Sequence, residues 1–279
     1  MANHYAVTIP LAEIDRIQIH INSPRKTLAS IKKSTGADYI LNGTLYNMKT
    51  GAVNCHLKVD GKVIARPGYD AWPYMWDKGP DIKLGYLNKN YLPSATPKNL
   101  IACTLLVKNG KPEKTLYYDP GQGGCRGRSA IGIKDGRLAL YCTKDGTSAA
   151  RTPERLRDDL AAAGWDSAVM LDGGGSSQCD FAGKKITSTR KVQHLILIFL
   201  KKKTCPYKEP TYTVKRGSRG EGARWVQWQL NRHGANLIVD GKFGSKSEEA
   251  LVEFQEIVFD DKDDWDGKCG PKTREALKR

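Results

Sequence analysis

The apolar positions of this chain follow two different rhythms, and the change falls near residue 201. Upstream, short apolar runs bounded by Gly, Asn, Asp and Pro read as strands: DYILNG (38–43), NLIACTLLVKNG (99–110), SAIGIKDGRLALYCTKDG (129–146), DSAVMLDGGG (166–175) and HLILIFL (194–200). A helix is signalled where Thr152 is placed to cap, Pro153 takes the first helical position and LRDDLAAAG continues to a stop at Gly164. Downstream, apolar residues return at three- and four-residue spacing. In GARWVQWQLNRHG, Trp225, Trp228 or Gln229, and Arg232 fall on one helical face before Gly234.

The downstream part also repeats itself. DGKFGSKSEEAL (240–251) and DGKCGPKTREAL (266–277) agree at eight of twelve positions, twenty-six residues apart. Each unit is an Asp-Gly turn, a second Gly, then a helix start. Ser245 and Glu248 form a capping-box pattern, and Pro271 stands in the first turn of the second helix. Between the two regimes, KKKTCPYKEPTYT (201–213) carries three consecutive lysines and two prolines without periodicity and reads as a linker. The expected fold class is therefore α+β: a mixed β-sheet domain with flanking helices over 1–203, a linker over 204–212, and a small all-α three-helix domain over 213–279.

Composition refines this picture. The chain has 279 residues, 39% hydrophobic and 27% charged, which is enough for two packed domains. No apolar run reaches the roughly 18 residues of a membrane span, and the N-terminus lacks a basic start and apolar stretch of signal-peptide type. Seven scattered cysteines without a CxxC pair are expected to be mostly reduced thiols, with neither a disulfide framework nor a zinc site. The net charge of +15 is uneven. Residues 211–279 hold 13 basic and 12 acidic side chains, leaving 32 basic and 18 acidic to residues 1–210. A positive field on the first domain raises encounters with polyanions without choosing among them.

The chemistry is sought first by elimination. HExxH, GxSxG, a Walker A lysine loop and a papain-like cysteine context are all absent. What stands out is SAVMLDGGGSSQCDF, in which Asp172 ends an apolar run and Gly173, Gly174, Gly175 and Ser176 follow. Glycines let backbone N–H groups turn toward an anion, so the stretch would set a carboxylate beside an anion cradle. Acid, base, nucleophile and orienter all remain open roles for Asp172. GQGGCRGRSAIGIKDGR (121–137) adds Arg126 and Arg128, guanidiniums suited to gripping phosphate. An ordinary surface salt bridge accounts for Arg126 better than for Arg128. WPYMWDKGP (72–80) is expected to be a loop whose aromatic faces shape a sugar pocket, with core packing the competing account.

Two resemblances draw these motifs together. Residues 213–279, through Gly217-Ser218-Arg219-Gly220, Gln229-Leu230, Asp240-Gly241, Phe243-Gly244, Phe254-Gln255, Asp266-Gly267 and Gly270-Pro271-Lys272-Thr273, resemble the three-helix peptidoglycan-binding domain of wall hydrolases. NGTLY (42–46), LLVKNG, GRSAIGIKDGRLALYCTKDG, TPERLRDDLAAAGWDSAVMLDGGGSS and TRKVQHLILI, in that order, resemble the phosphodiester glycosidase family. That second resemblance implies a catalytic set of Asp172, Arg128 and Asp145. It also implies substrate contacts from Asn42, Gly43, Ser129, Gly173, Gly174, Gly175, Ser176, Arg190 and His194. Asn42 would bond the sugar or phosphate, and Arg128 and Arg190 would neutralise the phosphate. The chain departs from the family pattern at Thr44-Leu45-Tyr46 and at His194.

The resulting expectation is a monomeric wall-directed hydrolase of sugar-1-phosphodiester linkages, of the phage endolysin or autolysin kind. It would be made in the cytoplasm and be released, in the phage case, through a holin. Its partners would be peptidoglycan and anionic wall polymer, with no nucleic acid and no membrane span. No cofactor is fixed by the sequence; calcium or magnesium bound through oxygens leaves only faint traces. Two alternatives stand beside it: a peptidoglycan glycosidase cutting β-1,4 bonds, and a non-catalytic wall-binding protein.

Overall fold

The computed structural model describes residues 3–23, 25–91, 94–202 and 204–278. The expected end of the first domain, residue 203, lies outside the described residues. The chain divides into two compact units, Met1–Lys201 and Lys202–Arg279.

The first unit is built on three antiparallel sheets. A six-stranded sheet runs, from edge to edge, His4–Pro10, Arg137–Thr143, Ser129–Lys134, Ser167–Met170, Thr104–Lys108 and Lys111–Pro112. A five-stranded sheet runs Lys184–Ile186, Cys179–Phe181, Tyr39–Asn42, His194–Leu200 and Ile14–Ile21. The third sheet is made of short strands between residues 57 and 101. Alternation along the strands dictates how they stack. Ile131, Leu140 and Val169 from the first sheet, Ile19, Leu41 and Ile196 from the second, and Leu57 and Ile101 from the third point into one shared core. Every other residue faces the opposite way, and two helices cover those outer faces.

Helix α1 (Leu28–Thr35) is capped by the Thr27 hydroxyl and ends on left-handed Gly36; it sets Leu28 and Ile31 on Ile40, Leu195 and Leu197. Helix α2 (Pro153–Ala162) begins as the sequence predicts, with Thr152 accepting from the Arg155 amide and Pro153 in the first turn. It buries Leu156 and Leu160 on Ala130, Ala139 and Met170, a contribution of about 2 kcal/mol for each leucine. Gly132 makes this close approach possible. A Cβ there would lie 2.3 Å from the Ser167 carbonyl oxygen and 2.4 Å from the Trp165 ring.

The second unit holds α3 (Glu221–Arg232), α4 (Ser245–Val258) and α5 (Pro271–Leu277) around Trp225, Leu230, Phe243, Leu251, Phe254 and Leu277. The sequence repeat becomes a repeated clasp. Gln227 donates to the Asp240 side chain, the Lys242 carbonyl and Ser247, while accepting from the Gly241 amide. Gln255 does the same to Asp266, Lys268, Thr273 and the Gly267 amide. Each clasp pins one Asp-Gly turn to the helix before it and the helix after it, so α4 belongs to both.

Two local expectations change. The capping box does not form: Ser245 is already inside α4, Gly244 takes the cap position and Glu248 pairs with Arg216 instead. The stretch expected as a linker packs on the second unit, because Cys205 and Tyr207 rest against its core and Glu209 pairs with Arg274 and Lys278.

Candidate active site

Four strand ends meet at one place in the first unit. Asn42 closes its strand, Ser129 and His194 open theirs, and Asp172 follows Ser167–Met170. Asn42 ties the two larger sheets together there. Its amide donates to the carbonyls of Asp172 (2.9 Å) and Gly43 (3.2 Å), and its carbonyl accepts from the Ser129 hydroxyl (2.6 Å) and the Gln178 amide (3.2 Å). All four of its hydrogen-bonding positions are used and the side chain is fully buried. Asn42 and Ser129, expected to contact substrate, are both fully buried and bond each other beneath the site.

Gly43 and His194 form the next support. The His194 ring nitrogen Nε2 accepts from the Thr44 amide at 2.9 Å, and a Cβ on Gly43 would lie 2.2 Å from that ring. Burial pulls His194 down to about 4, so the ring is neutral, with its proton on Nδ1. Gly43 in turn accepts from the Asp172 amide at 3.1 Å. Together they hold the Asp172 backbone from below.

Above this floor opens a cleft of about 590 Å³ lined by Asp172, Gly173–Gly175, Arg126, Arg128 and Arg190, with Tyr46, Tyr69, Tyr117, Tyr118 and Asp119 among its walls. Burial lifts the Asp172 carboxyl to about 6, against the opposing pull of the Ser176 hydroxyl, the Gly173 amide and the Arg190 guanidinium. The glycines contribute less than the sequence suggests. The Gly173 amide donates to Asp172 itself and the Gly174 amide to the Gly127 carbonyl, so two of the three N–H groups expected to cradle an anion are spent. Gly175 leaves room for Arg190, whose Nη2 would lie 3.0 Å from a Cβ there. Arg190 donates to the Ser176 hydroxyl at 2.9 Å, which makes Ser176 its anchor.

Arg128 is the unusual group. Its side chain is wholly buried, with Nε on the Arg151 carbonyl and Nη2 on the Gly124 carbonyl, both at 2.7 Å. No ion pair holds it among the described residues. Burial, and then the nearby Arg126 charge, lower its affinity for a proton. Arg126, for which a surface salt bridge was the favoured account, makes none among the described residues and lines the cleft. Asp145 does not line it; its carboxylate accepts from the Gly127 amide at 2.7 Å and shapes the loop that carries Arg126 and Arg128.

Three cleft features escape the sequence reading. Tyr46 turns a buried hydroxyl into the site without a hydrogen-bond partner among the described residues. Burial pushes that phenol up, and the Asp172 charge adds to the effect. Asp119 belongs to the same glycine-rich loop as Arg126, and that shared loop was the available signal. Cys55 and Cys103 face the cleft together, and the hydrogen bond between the two thiols pulls Cys55 down and pushes Cys103 up. The aromatics of WPYMWDKGP lie elsewhere. Tyr74 and Trp76 form a buried strand, and Trp72 stacks beside Tyr86 and Lys108. Among the described residues no group of three His, Cys, Asp or Glu side chains is placed to hold a metal ion.

The family model of phosphodiester glycosidase matches residues 16–199, and that of a peptidoglycan binding domain matches residues 219–277. No curated protein matches the chain by sequence. Among solved structures, the catalytic domain of zebrafish N-acetylglucosamine-1-phosphodiester alpha-N-acetylglucosaminidase, auto-inhibited by its pro-peptide, superposes with a TM-score of 0.56 at 16% identity. The match covers 71% of this chain and 82% of that one. A hypothetical protein from Synechocystis gives 0.52 at 14% identity, over 71% of this chain and 59% of that one. At such identities the likeness is one of fold.

Proposed function

Because this chain belongs to the phosphodiester glycosidase family, and joins that domain to a peptidoglycan binding domain, we propose that it hydrolyses glycosyl phosphodiesters of bacterial wall polymers. The observation that carries the proposal is Arg128: a buried guanidinium in the wall of the cleft that holds Asp172, with no ion pair among the described residues, and with Arg126 and Arg190 beside it on the same cleft. A buried cation without a counter-charge is costly, and a bound phosphate would supply that charge.

The chemistry follows from charge. The bond broken joins the anomeric carbon to a phosphate oxygen, and the leaving phosphate takes the bonding pair. Guanidiniums on its oxygens stabilise that charge as it develops, so the departing group needs no proton from the protein. Asp172 then works on the opposite side of the sugar, as a carboxylate that takes a proton from the attacking water or attacks the anomeric carbon itself. The water's oxygen ends on the sugar. Tyr46 and Tyr69 offer faces for the pyranose ring.

A β-1,4 glycosidase has less use for three guanidiniums in one cleft that form no ion pair among the described residues, and that cluster favours the diester reading. The test is incubation of the protein with purified walls carrying or lacking teichoic acid, followed by phosphate-monoester and reducing-sugar assays. Both products should appear together, from teichoic-acid-bearing walls only. Reducing ends without phosphate monoester would transfer the assignment to ordinary glycan cleavage. A lytic role of endolysin or autolysin kind is part of the proposal and is read from the turbidity of treated cells.

A further inference from the structure

Beside the cleft that holds Asp172, the first unit has a second, shallower one of about 550 Å³, and Asn54 lines both. Segments 51–54 and 64–67, with Ile21 and Gln193, form its walls. Among the described residues its lining contains no carboxylate, and Arg66 is the one charged group. Arg66 lies over the Tyr91 ring, 5.2 Å from the centroid, and makes no ion pair among the described residues.

Arg25 stands between the two clefts. Its guanidinium is 5.9 Å from the ring centre of Tyr46, which lines the first. Its Nη2 would lie 2.9 Å from a Cβ on Gly51, which lines the second. Arg25 also forms no ion pair among the described residues, and its backbone is left-handed, with φ of 59°. That conformation suits glycine or asparagine far better than arginine. Asn22 enforces it. Its carbonyl side accepts from the Lys26 amide at 2.8 Å, its amide donates to the carbonyls of Lys26 and Val192 at 2.9 and 2.8 Å, and its backbone carbonyl accepts from the Arg25 amide. A clasped turn thus holds a strained, unpaired cation at the junction of two contiguous clefts.

We propose that the two clefts form one track for a chain of repeating glycosyl phosphodiesters. The first holds the bond to be cut, while Arg25 and Arg66 receive the phosphate of the neighbouring repeat. The enzyme is then built for a polymer and not for an isolated diester. This inference rests on the hydrolase reading and specifies its substrate class. The second cleft has no carboxylate to repel a polyanion and no buried catalytic group, which suits holding without cutting.

The test compares two probes on the full-length protein: a methyl diester of N-acetylglucosamine 1-phosphate, with one phosphate, and a synthetic oligomer of at least three glycosyl phosphate repeats. Arg66→Ala should leave turnover of the single diester unchanged while weakening oligomer binding by about tenfold, the scale of one charge-assisted contact. Arg25→Gly relieves the left-handed strain as it removes the guanidinium. It should fold at least as stably as the parent and weaken oligomer binding in the same way. Calorimetric titration of the oligomer reads the effect even where no bond is cut, so failure of hydrolysis and failure of the track are separate outcomes. Equal oligomer affinity for the parent and both variants would overturn the proposal. So would equally tight competition by a single-stranded oligodeoxynucleotide of matching charge, which would reduce the track to a general anion surface.

Discussion

Asp172 carries a carboxyl at about 6 in place of the usual 3.8, and two measurements follow from that shift. If the carboxylate form works on the sugar, turnover rises with pH through about 6 and then levels; a fall above 6 would assign Asp172 to proton donation instead. Asp172→Asn should lower kcat by about a thousandfold, within the range of a missing acid–base group. The same shift has an opposite sign for stability. A carboxyl raised in the folded state favours folding below its unfolded value near 4, and that contribution is lost as pH rises through about 6. Asp172→Asn should therefore stabilise the fold by about 1 kcal/mol at pH 7, after allowance for partial solvent screening, and by nothing near pH 4. Thermal melts at the two pH values check this. Arg128→Lys should also lose about a hundredfold in turnover, because a lysine cannot span the Arg151 and Gly124 carbonyls while facing the cleft. The sequence exposes Asp172 and Arg128 because glycine-rich turns surround them. It hides Tyr46, whose approach to Asp172 depends on pairing between distant strands.

At the scale of elements, the site is an arrangement of strand ends. Gly43, His194 and Asn42 touch no solvent-filled space, yet they fix where Asp172 points. Gly43→Ala would drive a methyl group into the His194 ring and should cost about 2 kcal/mol or more of stability along with most activity. A variant with parental melting and parental turnover would remove these residues from the supporting role. Helix α2 was legible to the residue, since a threonine cap and a first-turn proline are local devices. The capping box at Ser245 failed because Gly244 already takes the cap, one position earlier. The strand Tyr74–Trp76 reads as a loop in the sequence for a nonlocal reason. Its burial comes from the Trp76 bond to the Ile17 carbonyl and the Tyr74 bond to Ser167, both far away in sequence.

At the scale of the whole chain, the two units have separate cores and unequal charge. The boundary is sharper than the sequence implied, because residues 204–212 serve the second unit. A truncation after Lys201 should therefore keep turnover of a soluble diester within about twofold, since ΔG for the first core is untouched. Its retention on walls should fall, and what remains should be lost in salt, as the basic field of the first unit is screened. Equal loss of soluble turnover would end this division of labour. The meeting of two sheets at Asn42 has a last consequence, which concerns heat. One amide side chain joins strands from both sheets and holds the Asp172 backbone, so a slight parting of the sheets dismantles the cleft while nearly every ladder hydrogen bond survives. On warming, hydrolysis should fail several degrees below the loss of strand circular dichroism, and catalysis would serve as the more sensitive thermometer of the fold.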